Sequence, residues 1–141
     1  MIVHKHVIRV RYADTDAMTF VYNGKYFEYF EVGRTELLRS LGLPYSVVEK
    51  NGYQLPVIEA GIKYYKPAFF DDLLEIESRY SLDNSPKVII EYTIRRKETG
   101  EVTTEGFTKH LFINSQTKHT VRPPQFYVDI IRAAEEKNAT K

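Results

Sequence analysis

The stretch Tyr12–Leu41, YADTDAMTFVYNGKYFEYFEVGRTELLRSL, decides how the rest of the chain has to be built. Its first part ends a strand in two carboxylates, Asp14 and Asp16, and its second part is the most helical segment of the sequence. Across Gly24–Leu41, residues Tyr26, Phe30, Gly33, Leu37 and Leu41 recur at the spacing of one helix face. Phe27, Val32 and Leu38 widen that surface beyond a single stripe, so the reading is a central helix wrapped by a sheet. Glu28, Glu31, Arg34 and Glu36 fill the other positions, with Glu31 and Arg34 spaced i,i+3 for an ion pair. Gly33 lowers helix propensity by about 1 kcal/mol against Ala. The compensation expected for it is close approach of the helix to another backbone.

The start of this helix carries the chemical interest. Asn23 is the expected N-cap, and Gly24 follows with no side chain to obstruct the first turn. Unbonded N–H groups and the dipole at such an end favour an anion or a developing oxyanion. A carboxylate a few residues upstream adds the second component of acyl-transfer chemistry. On spacing alone the plainer reading, two aspartates shaping a turn, stands ahead of the catalytic one.

The residues resemble a family signature. Tyr12, Asp14, Thr15, Asp16, Tyr22, Tyr26, Phe30, Glu31 and Arg34 match the N-terminal pattern of hot-dog thioesterases of the 4-hydroxybenzoyl-CoA thioesterase type. That group includes short acyl-CoA thioesterases associated with bacterial Tol–Pal envelope systems. Tyr65-Lys66-Pro67-Ala68 with Asp71-Asp72-Leu73 is similar to a second family block, and the two blocks with the element order span nearly the whole chain. Two positions depart from the pattern. Thr19 stands where many members have Gly, which bears on the loop presenting Asp16. Asn23 stands where the Tol–Pal-associated branch usually has His, which leaves only backbone donors in common at that point.

Composition narrows the alternatives. A chain of 141 residues is read as one domain, 1–141, with enough length for a core. The net charge of +1 gives no general attraction to nucleic acid, so a basic site has to be local. With no cysteine there is no disulfide, thiolate metal site or cysteine nucleophile. No apolar run reaches membrane-spanning length and the N-terminus does not read as a signal segment, so a cytoplasmic protein is expected.

Along the chain, Val7–Tyr12 alternates as a half-buried strand, with Ile8, Val10 and Tyr12 on one face. His4 and His6 share a face but lack a third ligand by spacing and are read as surface histidines. Gly42 is a plausible helix C′ residue and Pro44 opens a short second helix to about Lys50. Leu55–Tyr65, Leu74–Leu82, Val88–Arg96 and Thr103–Ile113 read as strands, joined mostly by hairpins. Gly106 is read as a bulge or bend. A C-terminal helix follows Pro123-Pro124 and is expected to fray from Lys137 to Lys141. This order is α+β: an antiparallel sheet around one long helix, which the resemblance names a hot dog.

The resemblance carries the catalytic role to Asp16, as nucleophile forming a mixed anhydride or as base toward water, with the nucleophile favoured. Asp14 is assigned to positioning the loop, and Asn23 and Gly24 with the first-turn N–H groups to the oxyanion. Tyr22 and Tyr26 are candidates to line the acyl pocket, though aromatics at this spacing serve equally as core. Lys66 and Lys87, with Arg95 and Arg96, are candidate partners for coenzyme A phosphates by charge. No metal, nucleotide or flavin motif is present, so no cofactor is expected. The expected substrate is acyl-CoA or an acylated carrier protein, and the expected assembly a homodimer or homotetramer. A non-catalytic hot-dog protein that binds an acyl group or a partner is the alternative function.

Overall fold

The computed structural model describes residues 1–139. In chain order these form β1 (Ile2–Arg9), a 3-10 turn (Tyr12–Asp14), α1 (Lys25–Ser40) and α2 (Tyr45–Lys50). Then come β2 (Tyr53–Gln54), β3 (Val57–Tyr64), β4 (Leu73–Tyr80), β5 (Lys87–Arg96), β6 (Val102–Asn114), β7 (Thr120–Val121) and α3 (Gln125–Ala139). The five longer strands make one antiparallel sheet in the order β1-β4-β5-β6-β3, and the short β2 and β7 pair with the far end of β6. The α+β arrangement expected from the element order is the one the chain adopts.

The first strand is displaced from the expected Val7–Tyr12. It begins at Ile2 and ends at Arg9, and Tyr12 lies in the 3-10 turn with 77% of its surface exposed. Pairing decides this: β4 offers partners only from Leu73 to Tyr80, opposite Arg9 to Ile2. The chain therefore leaves the sheet just before the two aspartates and enters a loop.

Helix α1 lies across the sheet with Tyr26, Tyr29, Phe30, Gly33, Leu37 and Leu38 buried. The Phe30 ring stacks on Tyr92 of β5 at 4.5 Å, and Leu74, Ile76, Ile90 and Ile94 complete the core beneath. Gly33 is needed because a Cβ there would lie 2.6 Å from Ile76 Cγ2 and 2.8 Å from Ser78 Oγ. The close approach is thus to side chains of β4 rather than to backbone. Gly106 plays the same part on β6: a Cβ there would meet the Phe30 ring and the Gly61 carbonyl oxygen, each at 2.6 Å. It makes room for Phe30 and is not a bulge; the register shifts fall between Val57 and Glu59 of β3 and between Ile94 and Arg95 of β5.

The helix is not wrapped on every side. Phe27 and Val32, expected to widen the buried face, are 40% and 36% exposed. Arg34 does not pair with Glu31; its guanidinium turns toward the Tyr92 hydroxyl, which also bonds Thr108 at 2.7 Å. At the C-terminus of α1, Gly42 N donates to Arg39 O and Leu43 N to Leu38 O, a Schellman motif with Gly42 at φ 80°. Helix α3 buries Tyr127 and Ile131, and the Tyr127 hydroxyl donates to that of Tyr80 at 2.8 Å. It runs on through Lys137 and Asn138, where fraying was expected; Thr140 and Lys141 lie outside the described residues.

Candidate functional site

The loop between β1 and α1 is a tight hairpin with Asp16 near its tip. Thr15 and Val21 form a bridge, Asp16 N donates to Phe20 O at 3.0 Å, and Thr19 N returns a bond to Asp16 O at 3.0 Å. Asp16 is half-buried, and its Oδ1 accepts from Met18 N at 2.8 Å. The hairpin rests on the segment before β4. Val21 N donates to Ala68 O at 2.8 Å, and Phe20 bridges to Phe69. The block Tyr65–Ala68 is therefore the bench under the loop, with Ala68 fully buried.

Asp14 is buried, 3% exposed, and its carboxylate collects donors from three directions. Oδ2 accepts from Arg11 N at 3.1 Å and from the Tyr29 hydroxyl at 3.0 Å. Oδ1 accepts from the Arg11 guanidinium at 3.1 Å and lies 3.5 Å from Lys25 Nζ. Burial pushes this carboxyl up, but the bonds from Arg11 N, Tyr29 and the Arg11 side chain outweigh it and hold it below its ordinary value. The same contact works the other way on Tyr29, whose hydroxyl is raised far above its ordinary value, first by burial and then by Asp14. Glu28, 2.9 Å from Lys25 Nζ, raises the lysine, and Asp14 adds to it. Tyr29 and Lys25 were absent from the residues singled out on the sequence. Tyr29 falls three residues from Tyr26 and beside Phe30, so spacing marks it only as core.

At the helix start the capping residue is Gly24, not Asn23, and no side chain caps the end. The Asn23 carbonyl is engaged, accepting from the Tyr64 hydroxyl at 2.8 Å and from Tyr26 N at 3.4 Å. The N–H groups of Lys25, Tyr26 and Phe27 close turns onto Tyr22, Asn23 and Gly24 carbonyls at 2.9, 3.4 and 3.3 Å. Among the described residues the N–H groups of Asn23 and Gly24 make no bond, so the available donors sit one step before the first turn. Gly24 takes up the Tyr22 ring: a Cβ there would lie 2.9 Å from Tyr22 Cε1.

Beside these donors is a groove of about 280 Å³ lined by Phe20, Val21, Asn23, Tyr26, Tyr64, Tyr65, Lys66 and Pro67. Tyr26 is 2% exposed and packs edge-to-face on Tyr64 at 5.4 Å, so it is core and groove wall at once. Tyr22 is 60% exposed and is not among the groove walls. Of the cationic candidates, only Lys66 walls this groove, and Arg96 lies next to it with its guanidinium already engaged. Arg95 is held by Glu77 at 2.6 Å. Arg96 is held by Asp72 at 2.7 Å and by the Pro67 carbonyl, and its guanidinium covers the Phe69 ring. Lys87 opens β5 opposite Leu111, whereas Lys66 bonds Thr103 beside the other end of β6. The seven steps of strand from Lys87 to Ile94, which lies opposite Thr104, put about 23 Å between these ends within one chain. A larger groove, about 640 Å³, lies over Gly61 and Phe107 and is walled by none of the candidates.

His4 lies near Glu36 of α1, the acidic neighbour that spacing did not reveal, yet no three His, Asp or Glu side chains converge as metal ligands among the described residues.

The chain is similar to proteins that share this architecture. The model of the thioesterase-like superfamily matches residues 10–133. A Bacillus subtilis (strain 168) protein named "Putative acyl-CoA thioesterase YneP" is 35% identical over 126 residues, 89% of this chain and 88% of its own. Among solved structures, hypothetical protein TT1821 from Thermus thermophilus superimposes with a TM-score of 0.85 at 32% identity, over 92% of this chain and 98% of the other. The DHNA-CoA thioesterase of Staphylococcus aureus does so with a TM-score of 0.87 at 28% identity, over 99% and 93%. The matched stretch runs from the last buried residue of the β1 exit, Val10, to the second turn from the end of α3. It takes in the Asp16 hairpin, the open donors before α1 and the groove beside them, and on that extent the chain belongs to the thioesterase-like superfamily and has its hot-dog fold.

Proposed function

We propose that the chain is a thioester hydrolase acting on acyl-CoA, with Asp16 as the acting carboxylate and the Asn23 and Gly24 N–H groups receiving the oxyanion. The observation that carries this is a partly exposed carboxylate in a short hairpin followed directly by two unbonded backbone donors at a helix start. The thioesterase names of the relatives support the reaction class. Asp16 attacks the thioester carbonyl, the coenzyme A thiolate leaves, and water cleaves the resulting anhydride; in the second route Asp16 takes a proton from the attacking water. The acyl group is assigned to the groove along Tyr26 and Tyr64, and Lys66 at its rim to a phosphate or to an acidic carrier protein. Within the superfamily we assign the chain to the Tol–Pal-associated branch on the Tyr12–Arg34 signature, with Asn23 as its departure. A cytoplasmic setting belongs to the same reading.

We also propose that the working unit is a homodimer or homotetramer. The edge strand β3 pairs only with β6, and Val57, Ile58 and Tyr64 on it are 47%, 46% and 44% exposed.

Hydrolysis of a panel of aliphatic and aromatic acyl-CoAs, with and without chelator, tests the activity. Asp16→Asn is expected to lower the rate by at least about a hundredfold. Near-normal turnover in that variant removes Asp16 from both routes. In heavy-oxygen water, a single turnover that labels Asp16 identifies the nucleophilic route. If folded protein turns over no member of the panel, the acyl-binding alternative takes its place.

A further inference from the structure

We infer that Tyr29 and Lys25 are positioning residues that aim Asp16 through Asp14, an inference that rests on the reading of Asp16 above. Asp16 holds itself only locally, by the Met18 N bond and the Phe20 rung. Its direction is inherited from the base of the hairpin. That base is Asp14, whose carbonyl accepts from Tyr22 N at 3.0 Å, one rung below the Thr15–Val21 bridge. Its carboxylate is then tied to the helix twice, to the first residue of α1 through Lys25 and to the second turn through Tyr29. The remaining donors come from Arg11: its backbone N–H ties Oδ2 to the 3-10 turn and not to the helix, and its guanidinium belongs to a side chain that is 72% exposed and gives little rigidity.

The same helix supplies the Gly24 N–H at its cap. A clasp from Asp14 to α1 therefore holds carboxylate and oxyanion donors in one frame. Tyr29 is the stronger half of the clasp. It is 5% exposed and its ring is fixed edge-to-face against Tyr26 at 5.6 Å, so its hydroxyl has one place to go. Removing that hydroxyl leaves Oδ2 with the Arg11 N–H alone and only Lys25 to tie the carboxylate to α1, so the base of the hairpin is loosened from the helix. Displacements of about 1 Å in a reacting group cost up to about a hundredfold in rate.

The test uses Tyr29→Phe, Lys25→Met and Asp14→Asn, each alone and combined with Asp16→Asn, with amide hydrogen exchange as a readout that needs no substrate. In Tyr29→Phe, exchange at the Asp16 and Met18 amides is expected to quicken about tenfold or more while the β5 and β6 amides keep their rates. On the acyl-CoA panel, kcat is expected to fall about tenfold with KM held within about twofold, well below the melting temperature. In the Asp16→Asn background the same substitution should cost no further rate. A lowered melting temperature with unchanged amides and unchanged kcat overturns the inference, as does an equal fractional loss in the Asp16→Asn background. If Asp16→Asn turns over normally while Tyr29→Phe is slow, the proposed function falls and this inference with it. If Asp16→Asn is inactive while Tyr29→Phe and Lys25→Met are both as wild type, this inference falls alone.

Discussion

Thr19 has φ 71° at the tip of the Asp16 hairpin, a left-handed conformation that costs a non-glycine residue about 1–2 kcal/mol. The resemblance had marked this position as one where many relatives carry Gly, and the dihedral supplies the reason. Thr19→Gly is expected to raise stability by about 1 kcal/mol, less whatever unfolded-chain entropy the glycine adds, measured by urea unfolding. A destabilised Thr19→Gly would show that the threonine side chain contributes something its exposed setting does not reveal. At the same scale, Asp14 was legible as an aspartate that accepts hydrogen bonds in a loop. Its donors from α1 were not, because Tyr29 lies fifteen residues away and looks like any other apolar-face aromatic.

Helix α1 was legible as an element from periodicity, and its C-terminus from Gly42. Its N-terminus was misread by one residue. Asn23 has the side chain of an N-cap, but its carbonyl is drawn to Tyr64, and the first turn of the helix closes through 3-10-type bonds onto Tyr22, Asn23 and Gly24. The helix also tests whether propensity or packing governs an interior glycine. Gly33→Ala gains about 1 kcal/mol of helix propensity and meets Ile76 Cγ2 at 2.6 Å. Overpacking of this kind costs about 1–3 kcal/mol, so net destabilisation is expected in a denaturant titration. A more stable Gly33→Ala would mean that β4 yields to the methyl group.

Among the described residues the sheet has two edge strands, β1 and β3; on β3 Val57, Ile58 and Tyr64 are exposed, and on α1 Phe27 and Val32 are exposed as well. Phe27 and Val32 were read from the sequence as part of the covered surface of α1, with an assembly of two or four copies expected. Within one chain neither has a cover. A charge at Ile58 is expected to break association there: Ile58→Lys should lower the mass seen by light scattering at micromolar concentration and reduce acyl-CoA hydrolysis with it. A monomeric wild type with full activity would defeat the proposal that the working unit is a dimer or tetramer.

What the sequence determined by itself was whatever depends on neighbours within a few residues. Strand alternation, the amphipathic helix, the Gly42 stop and the pairing of Asp14 with Asp16 in one loop are short-range patterns, because backbone periodicity and turn chemistry act over one or two turns of chain. What only the tertiary structure decided depends on which distant segments meet. The Phe30–Tyr92 stack that makes Gly106 obligatory, the Ile76 contact that makes Gly33 obligatory, and the Ala68 bench beneath the hairpin all join residues more than forty apart in sequence. The Tyr29 hydroxyl reaching Asp14 belongs with them, since it exists only once the loop has folded back on its helix. Side-chain type shows that an aspartate needs donors and that a glycine needs a reason; only packing says which atoms supply them.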